Sequence, residues 1–132
     1  MTEFPFVHTV AVRYQDYDML GHVNNAVYAA YLEDARTEFL DDYVGLRPGD
    51  IDMVLAHLEF DYRAPVEDAR EVDVALAVTD VGTTSFGFAY EVRDGDAVAV
   101  EAESVQVVVD PETAESQPIP ADWRAALEGA RR

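Results

Sequence analysis

The run Ala26-Val27-Tyr28-Ala29-Ala30-Tyr31-Leu32 has no polar break, and it opens a helix-spaced segment that reaches about Tyr43. A helix that is apolar on nearly all sides cannot lie on a surface; other structure must wrap it. Beyond Leu32 the apolar face narrows to Ala35, Phe39, Leu40 and Tyr43, while Glu33, Asp34, Glu38, Asp41 and Asp42 mark the wet side. Gly45 stops the helix, and Arg47-Pro48-Gly49-Asp50 reads as a loop.

The rest of the chain supplies strands to do the wrapping. Val7 to Gln15 alternate, with Val10, Val12 and Tyr14 on one side and Thr9, Ala11, Arg13 and Gln15 on the other. Phe4 and Phe6 extend this edge strand past Pro5. From Met53 to Arg63, Val54, Ala56, Leu58, Phe60 and Tyr62 share a face, and the turn Ala64-Pro65-Val66-Glu67-Asp68 follows. Glu71 to Thr79 and Thr84 to Arg93 alternate in the same way, joined by Asp80-Val81-Gly82-Thr83. Asp94-Gly95-Asp96 is a hairpin turn into the last strand. There Val98, Val100 and Ala102 change phase to Val105, Val107 and Val109, which predicts a bulge near Ser104 or burial on both faces. Asp110-Pro111 ends the strand, and Asp122 is placed to cap a short helix over about 121–129 that carries Trp123, Ala126 and Leu127. One helix and five mostly antiparallel strands make an α+β fold, read as one domain over residues 1–132. Periodicity alone leaves several topologies open.

Charge narrows the partners. There are 27 acidic and 9 basic residues, a net charge of -18, and every basic residue is arginine. The acids are scattered, and 49% of the chain is apolar, so the pattern is a folded domain with an acidic surface rather than a disordered tail. Such a surface suits high salt, where self-repulsion is screened. It argues against nucleic acid as a partner, since phosphate neutralisation needs a basic patch. With no cysteine there is no disulfide, thiolate nucleophile or thiolate metal site. No segment has the length of a membrane span or the pattern of a secretory signal, so the expected location is cytoplasmic.

Chemistry-bearing residues gather just before the helix, where the first strand breaks at Tyr17-Asp18-Met19-Leu20-Gly21-His22. Asp18, His22, Asn24 and Asn25 fall beside one helix N-terminus, whose unpaired N–H groups and partial positive charge can polarise a carbonyl under attack. Asp18 can serve as general base or nucleophile, or simply cap a turn. His22 can orient water, bond Asp18 or touch substrate. Asn24 and Asn25 are also natural N-caps. Asp16 is read as lying on the strand, facing away from Asp18. His8 and His57 complete no established metal-ligand spacing, so no metal is expected, and neither G-x-S-x-G nor a phosphate loop occurs.

The pattern Asp18-Met19-Leu20-Gly21-His22-Val23-Asn24-Asn25-Ala26-Val27-Tyr28, followed by Tyr31-Leu32-Glu33-Asp34-Ala35-Arg36, resembles the 4-hydroxybenzoyl-CoA thioesterase family of hotdog folds. It is similar above all to the short acyl-CoA thioesterases with D-x-x-x-H-V-N-N-x-x-Y. Plant acyl-ACP thioesterases share D-x-N-x-H-V-N-N, with Asn where this chain has Leu20. The resemblance implies a curved antiparallel five-stranded sheet wrapped around one long central helix. It also implies a homodimer or homotetramer with sites between subunits.

The resemblance further implies Asp18 as the catalytic acid and the backbone N–H of Asn25 as the oxyanion donor, with His22 assisting. Asn24, Tyr28, Arg63, Thr84 and Ser85 are the expected substrate contacts. Thr83-Thr84-Ser85 fall where relatives carry a Gly-x-x-Ser turn near the CoA arm, without the Lys or Arg often found there. Arg63, Arg70 and Arg93 are the remaining candidates for CoA phosphates. The tyrosines and alanines at 28–31 either line a pocket or pack the core, and Glu33 with Arg36 reads as an ion pair one turn apart.

The implied reaction is hydrolysis of an acyl-CoA to free acid and CoA. No cofactor is needed beyond the CoA of the substrate. The alternatives are the same reaction on an acyl carrier protein, or a non-catalytic acyl-binding hotdog module.

Overall fold

In a computed structural model of the chain, which describes residues 4–45 and 52–132, five antiparallel strands form one sheet in the order β1-β3-β4-β5-β2. These are β1 (Phe6–Ala11), β2 (Asp52–Tyr62), β3 (Glu71–Val81), β4 (Ser85–Asp94) and β5 (Ala97–Val109). Helix α1 (Tyr28–Phe39) lies between β1 and β2 in sequence, and α2 (Ala121–Gly129) closes the chain. The hairpin expected at Asp94-Gly95-Asp96 is present: Asp94 pairs with Ala97, and Gly95 takes φ of 61°.

The central helix is shorter than the sequence pattern predicts. Its α-helical part has 12 residues, and a five-residue π-helical turn, Leu40–Val44, continues it. Gly45 ends it in the left-handed region at φ 74°, a conformation without steric penalty only for glycine. The expected start at Asn24 or Asn25 moves to Tyr28, because Asn25–Val27 are used in a turn. The loop expected at Arg47–Asp50 lies outside the described residues.

One face of the sheet carries the core. Tyr28, Tyr31, Leu32, Ala35 and Phe39 of α1 pack with Val74, Leu76 and Val78 of β3 and Phe86, Phe88, Tyr90 and Val92 of β4; Trp123 and Leu127 of α2 join them. Each fully buried side chain of this size stabilises by roughly 1.5–3 kcal/mol relative to exposure. The opposite face is mostly small and charged. Ala75, Ala77 and Ala89 lie there under Phe4, which is buried on this face rather than extending β1.

Three sequence expectations about register change. First, β1 ends at Ala11; Tyr14–Asp16 form a 3-10 turn, so Gln15 and Asp16 are not strand residues. Second, β2 has a bulge between Leu55 and His57, so Val54 does not share a face with Leu58, Phe60 and Tyr62. Third, β5 runs without a register break through Ser104; its irregularity lies where Val92 pairs with Val100 and Arg93 with Val98. Ser104 and Gln106 are buried and turned inward, while Val105 and Val107 are half-buried on the other face.

Those inward polar groups are satisfied by a chain of hydrogen bonds. Arg36 donates to the Tyr90 hydroxyl at 3.1 Å, Tyr90 bonds Ser104, Ser104 bonds Gln106, and Gln106 Nε2 donates to the Phe86 carbonyl at 3.2 Å. Arg36 therefore anchors the helix to the sheet instead of pairing with Glu33. Among the described residues no buried side-chain nitrogen or oxygen lacks a partner, as a fully connected buried network requires.

Candidate active site

The segment between β1 and α1 is built on a carboxylate. Asp16 is 1% exposed and accepts four hydrogen bonds. The Arg13 backbone N–H donates at 2.9 Å, its Nε at 3.1 Å and its terminal nitrogen at 2.9 Å, and the Tyr31 hydroxyl donates at 2.9 Å. Burial pushes the Asp16 carboxyl up, but the bonds from Arg13 and Tyr31 outweigh it and hold the group below the usual range. The Tyr31 phenol is raised, first by burial and then by the Asp16 carboxylate. Tyr17, next in sequence, both donates to the Ala69 carbonyl at 2.7 Å and accepts the Ala69 N–H at 2.8 Å. The Val23 N–H donates to the Val66 carbonyl at 2.8 Å. The β2–β3 connection thus braces the loop that carries Asp18.

Within that loop Asp18 N–H donates to the His22 carbonyl at 2.8 Å and Gly21 N–H to the Asp18 carbonyl at 3.0 Å. Gly21 sits at φ 78°, which lets the chain reverse tightly enough for this pairing. One carboxylate oxygen, Asp18 Oδ1, accepts the Leu20 N–H at 2.9 Å and the His22 N–H at 3.3 Å. Oδ2 takes no hydrogen bond among the described residues. Asp18 is therefore both a turn-capping residue and a carboxylate with a spare oxygen.

The two asparagines do not cap α1. Its N-cap is Val27, without a side-chain bond. Asn24 instead organises the turn before the helix: its N–H donates to the Asp16 carbonyl at 2.9 Å, its own carbonyl accepts the Val27 N–H at 2.9 Å, and its Oδ1 accepts the Ala26 N–H at 2.9 Å. Asn25 keeps its backbone N–H without an acceptor among the described residues.

A cleft of about 370 Å³ opens beside this turn, lined by Asp18, His22, Val23, Asn25, Tyr28, Tyr62, Arg63, Ala64 and Pro65. Five of the sequence-selected residues, Asp18, His22, Asn25, Tyr28 and Arg63, therefore share one wall system. The Tyr28 phenol is raised, chiefly by burial. The His22 ring is turned toward Glu67, with Nε2 at 3.6 Å from its carboxylate, and it makes no hydrogen bond to the Asp18 side chain. Arg63 is the one arginine on the described wall; its Nε donates to Glu101 at 2.7 Å, and that bond holds the guanidinium above its ordinary value.

Thr84 and Ser85 are not part of this cleft. Ser85 opens β4 opposite Val107 and lines a separate cleft with His57, Glu59 and Asp80. Thr84 accepts the Val108 N–H through its carbonyl at 2.9 Å. Asn24 is not among the residues that line the cleft either. Arg93 is bonded to Glu91 at 3.0 Å. Among the described residues no three His, Asp or Glu side chains converge as a metal-ligating group, and no helix is long and apolar enough to cross a membrane.

Two residues of the site escape the sequence reading. Asp16 is assigned to the strand there, although an Arg three residues before it is the available hint of a local pair. Tyr62 is read only as a strand residue; its hydroxyl donates to the Asn25 carbonyl at 3.0 Å.

Known proteins share this fold. The sequence profile of the thioesterase-like superfamily matches residues 12–127. A thioesterase from Thermus thermophilus, solved in complex with coenzyme A and Zn, is 30% identical; the match covers 98% of this chain and 96% of that one, with a TM-score of 0.85. A Pseudomonas aeruginosa protein superposes with a TM-score of 0.91 at 24% identity, over 98% of this chain and 93% of its own. A 1,4-dihydroxy-2-naphthoyl-CoA thioesterase from Synechocystis is 22% identical, with a TM-score of 0.82 over 92% of this chain and 94% of its own. At those identities the last two bear on the fold alone.

Proposed function

This chain belongs to the thioesterase-like superfamily and shares the hotdog arrangement of its structural relatives; from that premise we propose that it hydrolyses acyl-CoA thioesters to a free carboxylic acid and CoA. The observation that carries the reading is the pairing, in one cleft, of an Asp18 carboxylate with a spare oxygen and an Asn25 N–H without an acceptor. A thioester carbonyl needs both a source of oxygen and a donor for the oxyanion that develops. Asp18 either takes the proton of an attacking water or attacks the carbonyl itself, giving a mixed anhydride that water opens. In both routes the C–S bond breaks, the acyl carbon keeps the new oxygen, and the departing sulfur gains a proton. His22, on the Glu67 side of the loop, orients water or the acyl group. CoA as the carrier is supported by the coenzyme in the Thermus thermophilus relative and by Arg63 at the cleft, the one described wall residue suited to a phosphate.

The reading includes a second copy of the chain. Strand β2 is an edge, paired only with β5, and Val54 and Leu55 on it are 48% and 46% exposed. Long apolar edges are normally covered. The Asp18 loop also presents Met19 to solvent, 97% exposed. Light scattering should return a dimer or tetramer; an active monomer would remove this part of the reading.

A thiol-release screen over short, long and aromatic acyl-CoAs tests the activity. Release from at least one class, abolished by Asp18→Asn, is the expected result. Hydration of an enoyl-CoA without thiol release would replace the hydrolase reading, and tight acyl-CoA binding without turnover would leave only a binding module.

A further inference from the structure

The turn from Asn24 to Val27 has four backbone N–H groups, and three are engaged within the segment: Asn24 with the Asp16 carbonyl, Ala26 with Asn24 Oδ1, and Val27 with the Asn24 carbonyl. The fourth, on Asn25, is the one assigned above to the oxyanion. A donor serves a transition state only if its direction is fixed beforehand. The Asn24–Asn25 peptide that bears it is held by Val27 on its carbonyl side. The next peptide, Asn25–Ala26, is held on its N–H by Asn24 Oδ1 and on its carbonyl by Tyr62, at 3.0 Å.

Tyr62 is the one member of this set from outside the local segment; it comes from the end of β2, 37 residues along the chain. Its ring stacks on Phe60 at 5.7 Å and tilts against Tyr28 at 5.9 Å between centroids. The side chain is nevertheless 52% exposed. Ring packing alone accounts for an aromatic residue here but not for a hydroxyl; phenylalanine would keep both ring contacts. Among the described residues the hydroxyl's one bond goes to the carbonyl of Asn25, a residue that lines the cleft.

We propose that Tyr62 is a positioning residue for the hydrolysis: its hydroxyl clamps the Asn25–Ala26 peptide and so aims the Asn25 N–H into the cleft. It acts through Asn25 rather than on the reacting atoms. This rests on the hydrolase reading given above. It also makes β2, the strand with the exposed edge, a structural part of the site, so that movement of that strand is felt at the oxyanion donor.

The test is Tyr62→Phe, assayed by thiol release and by amide NMR of the ligand-free protein under the same salt. The expected result is a kcat about tenfold lower with KM within about twofold, below the ~10²-fold that a fully misplaced group costs. The melting temperature should stay near the parent's, and the Asn25 amide signal should shift and exchange faster with solvent. Turnover within twofold of the parent would overturn the proposal. So would a KM rise at unchanged kcat, which would make the hydroxyl a substrate contact. If the parent released no thiol from any acyl-CoA, the hydrolase reading would fail on its own. The clamp on the Asn25–Ala26 peptide would then be decided by NMR alone: an Asn25 amide indifferent to the Phe variant refutes it, and a displaced one leaves the clamp standing without a role in hydrolysis.

Discussion

Asp16 and Asp18 are the same chemical group two residues apart, and the fold puts them to opposite uses. Asp16 is buried, and both its oxygens are taken by Arg13 and Tyr31. Asp18 is partly exposed, spends one oxygen on its own turn, and lines a cleft. A carboxylate whose lone pairs are all committed inside the protein cannot accept a further proton without losing bonds. One with a free oxygen and access to solvent can. The difference shows that an acidic residue's chemical availability is set by the donors around it, not by its proximity to a site: Asp16 builds the loop on which Asp18 is displayed.

The largest expected effect that could break this contrast is on stability. Asp16→Ala removes four bonds and leaves the Tyr31 hydroxyl buried without an acceptor, which should destabilise the fold by about 3 kcal/mol. Denaturant unfolding measures it; a loss under about 1 kcal/mol would make Asp16 dispensable. Asp18→Asn should do the converse. Asparagine can still cap the turn, so the melting temperature should hardly move, while kcat falls by ~10²-fold or more, the scale of general-base catalysis. Turnover within about threefold of the parent would reduce Asp18 to a turn residue.

Acid sharpens the comparison further. The Asp16 carboxyl is lowered in the folded state, so its contribution is fully present above its unfolded value near ~4 and is lost as pH falls through the lower folded value. In parent protein the acid limb of a stability–pH profile should therefore include a drop below about pH 4 that Asp16→Asn lacks; identical limbs would contradict the assignment. Tyr31→Phe removes one of the four bonds and should cost about 1 kcal/mol, read from the same denaturation curves.

The smallest effect concerns a third kind of carboxylate. On the outer face of the sheet Glu59 pairs directly with Glu103, and Asp61 with Glu101. Like charges so placed repel, by up to about 1 kcal/mol. Glu103→Gln should stabilise by about 0.5 kcal/mol in ~0.1 M salt, where the screening length is about 10 Å, and by nothing measurable in ~1 M salt, where it is about 3 Å. A gain independent of salt would point to packing instead, and would weaken the high-salt reading of the net charge.

Much of this is legible in the amino-acid order. The alternation of β3 and β4, the glycine at 45, the hairpin at Gly95 and the 121–129 helix follow from local pattern and turn chemistry, although that helix starts from Pro120 and Asp122 lies in its first turn instead of capping it. So does the grouping of Asp18, His22 and Asn25 by a motif at one strand break. The misreadings share a cause, which is that the deciding partner is distant in sequence. Ser104 and Gln106 face inward because Tyr90 and the Phe86 carbonyl receive them; local hydropathy favours Val105 and Val107. Tyr62 looks like any strand tyrosine until β2 is laid beside the Asn25 turn. The bulge at Ala56 has no apolar signature either, since Leu55 and Ala56 are both acceptable on the inner face. The pattern overextends the helix because Asn24 and Asn25 suit a turn as well as a cap.

The strand order β1-β3-β4-β5-β2 also predicts an order of assembly. β3, β4 and β5 are consecutive in sequence and joined by short connections, so their pairing closes small loops. β1 reaches β3 only across the whole helical segment, and β2 reaches β5 from beyond both intervening strands, and larger loops cost more entropy to close. The central meander should zip first and the two outer strands dock afterwards. Those outer strands carry the proposed site: the Asp18 loop follows β1, and Tyr62 ends β2. In native-state hydrogen exchange β1 and β2 should open at lower free energy than the meander, and thiol release should be lost with them while β3–β5 remain protected. The site should therefore be the last part of the molecule to be built and the first to come undone.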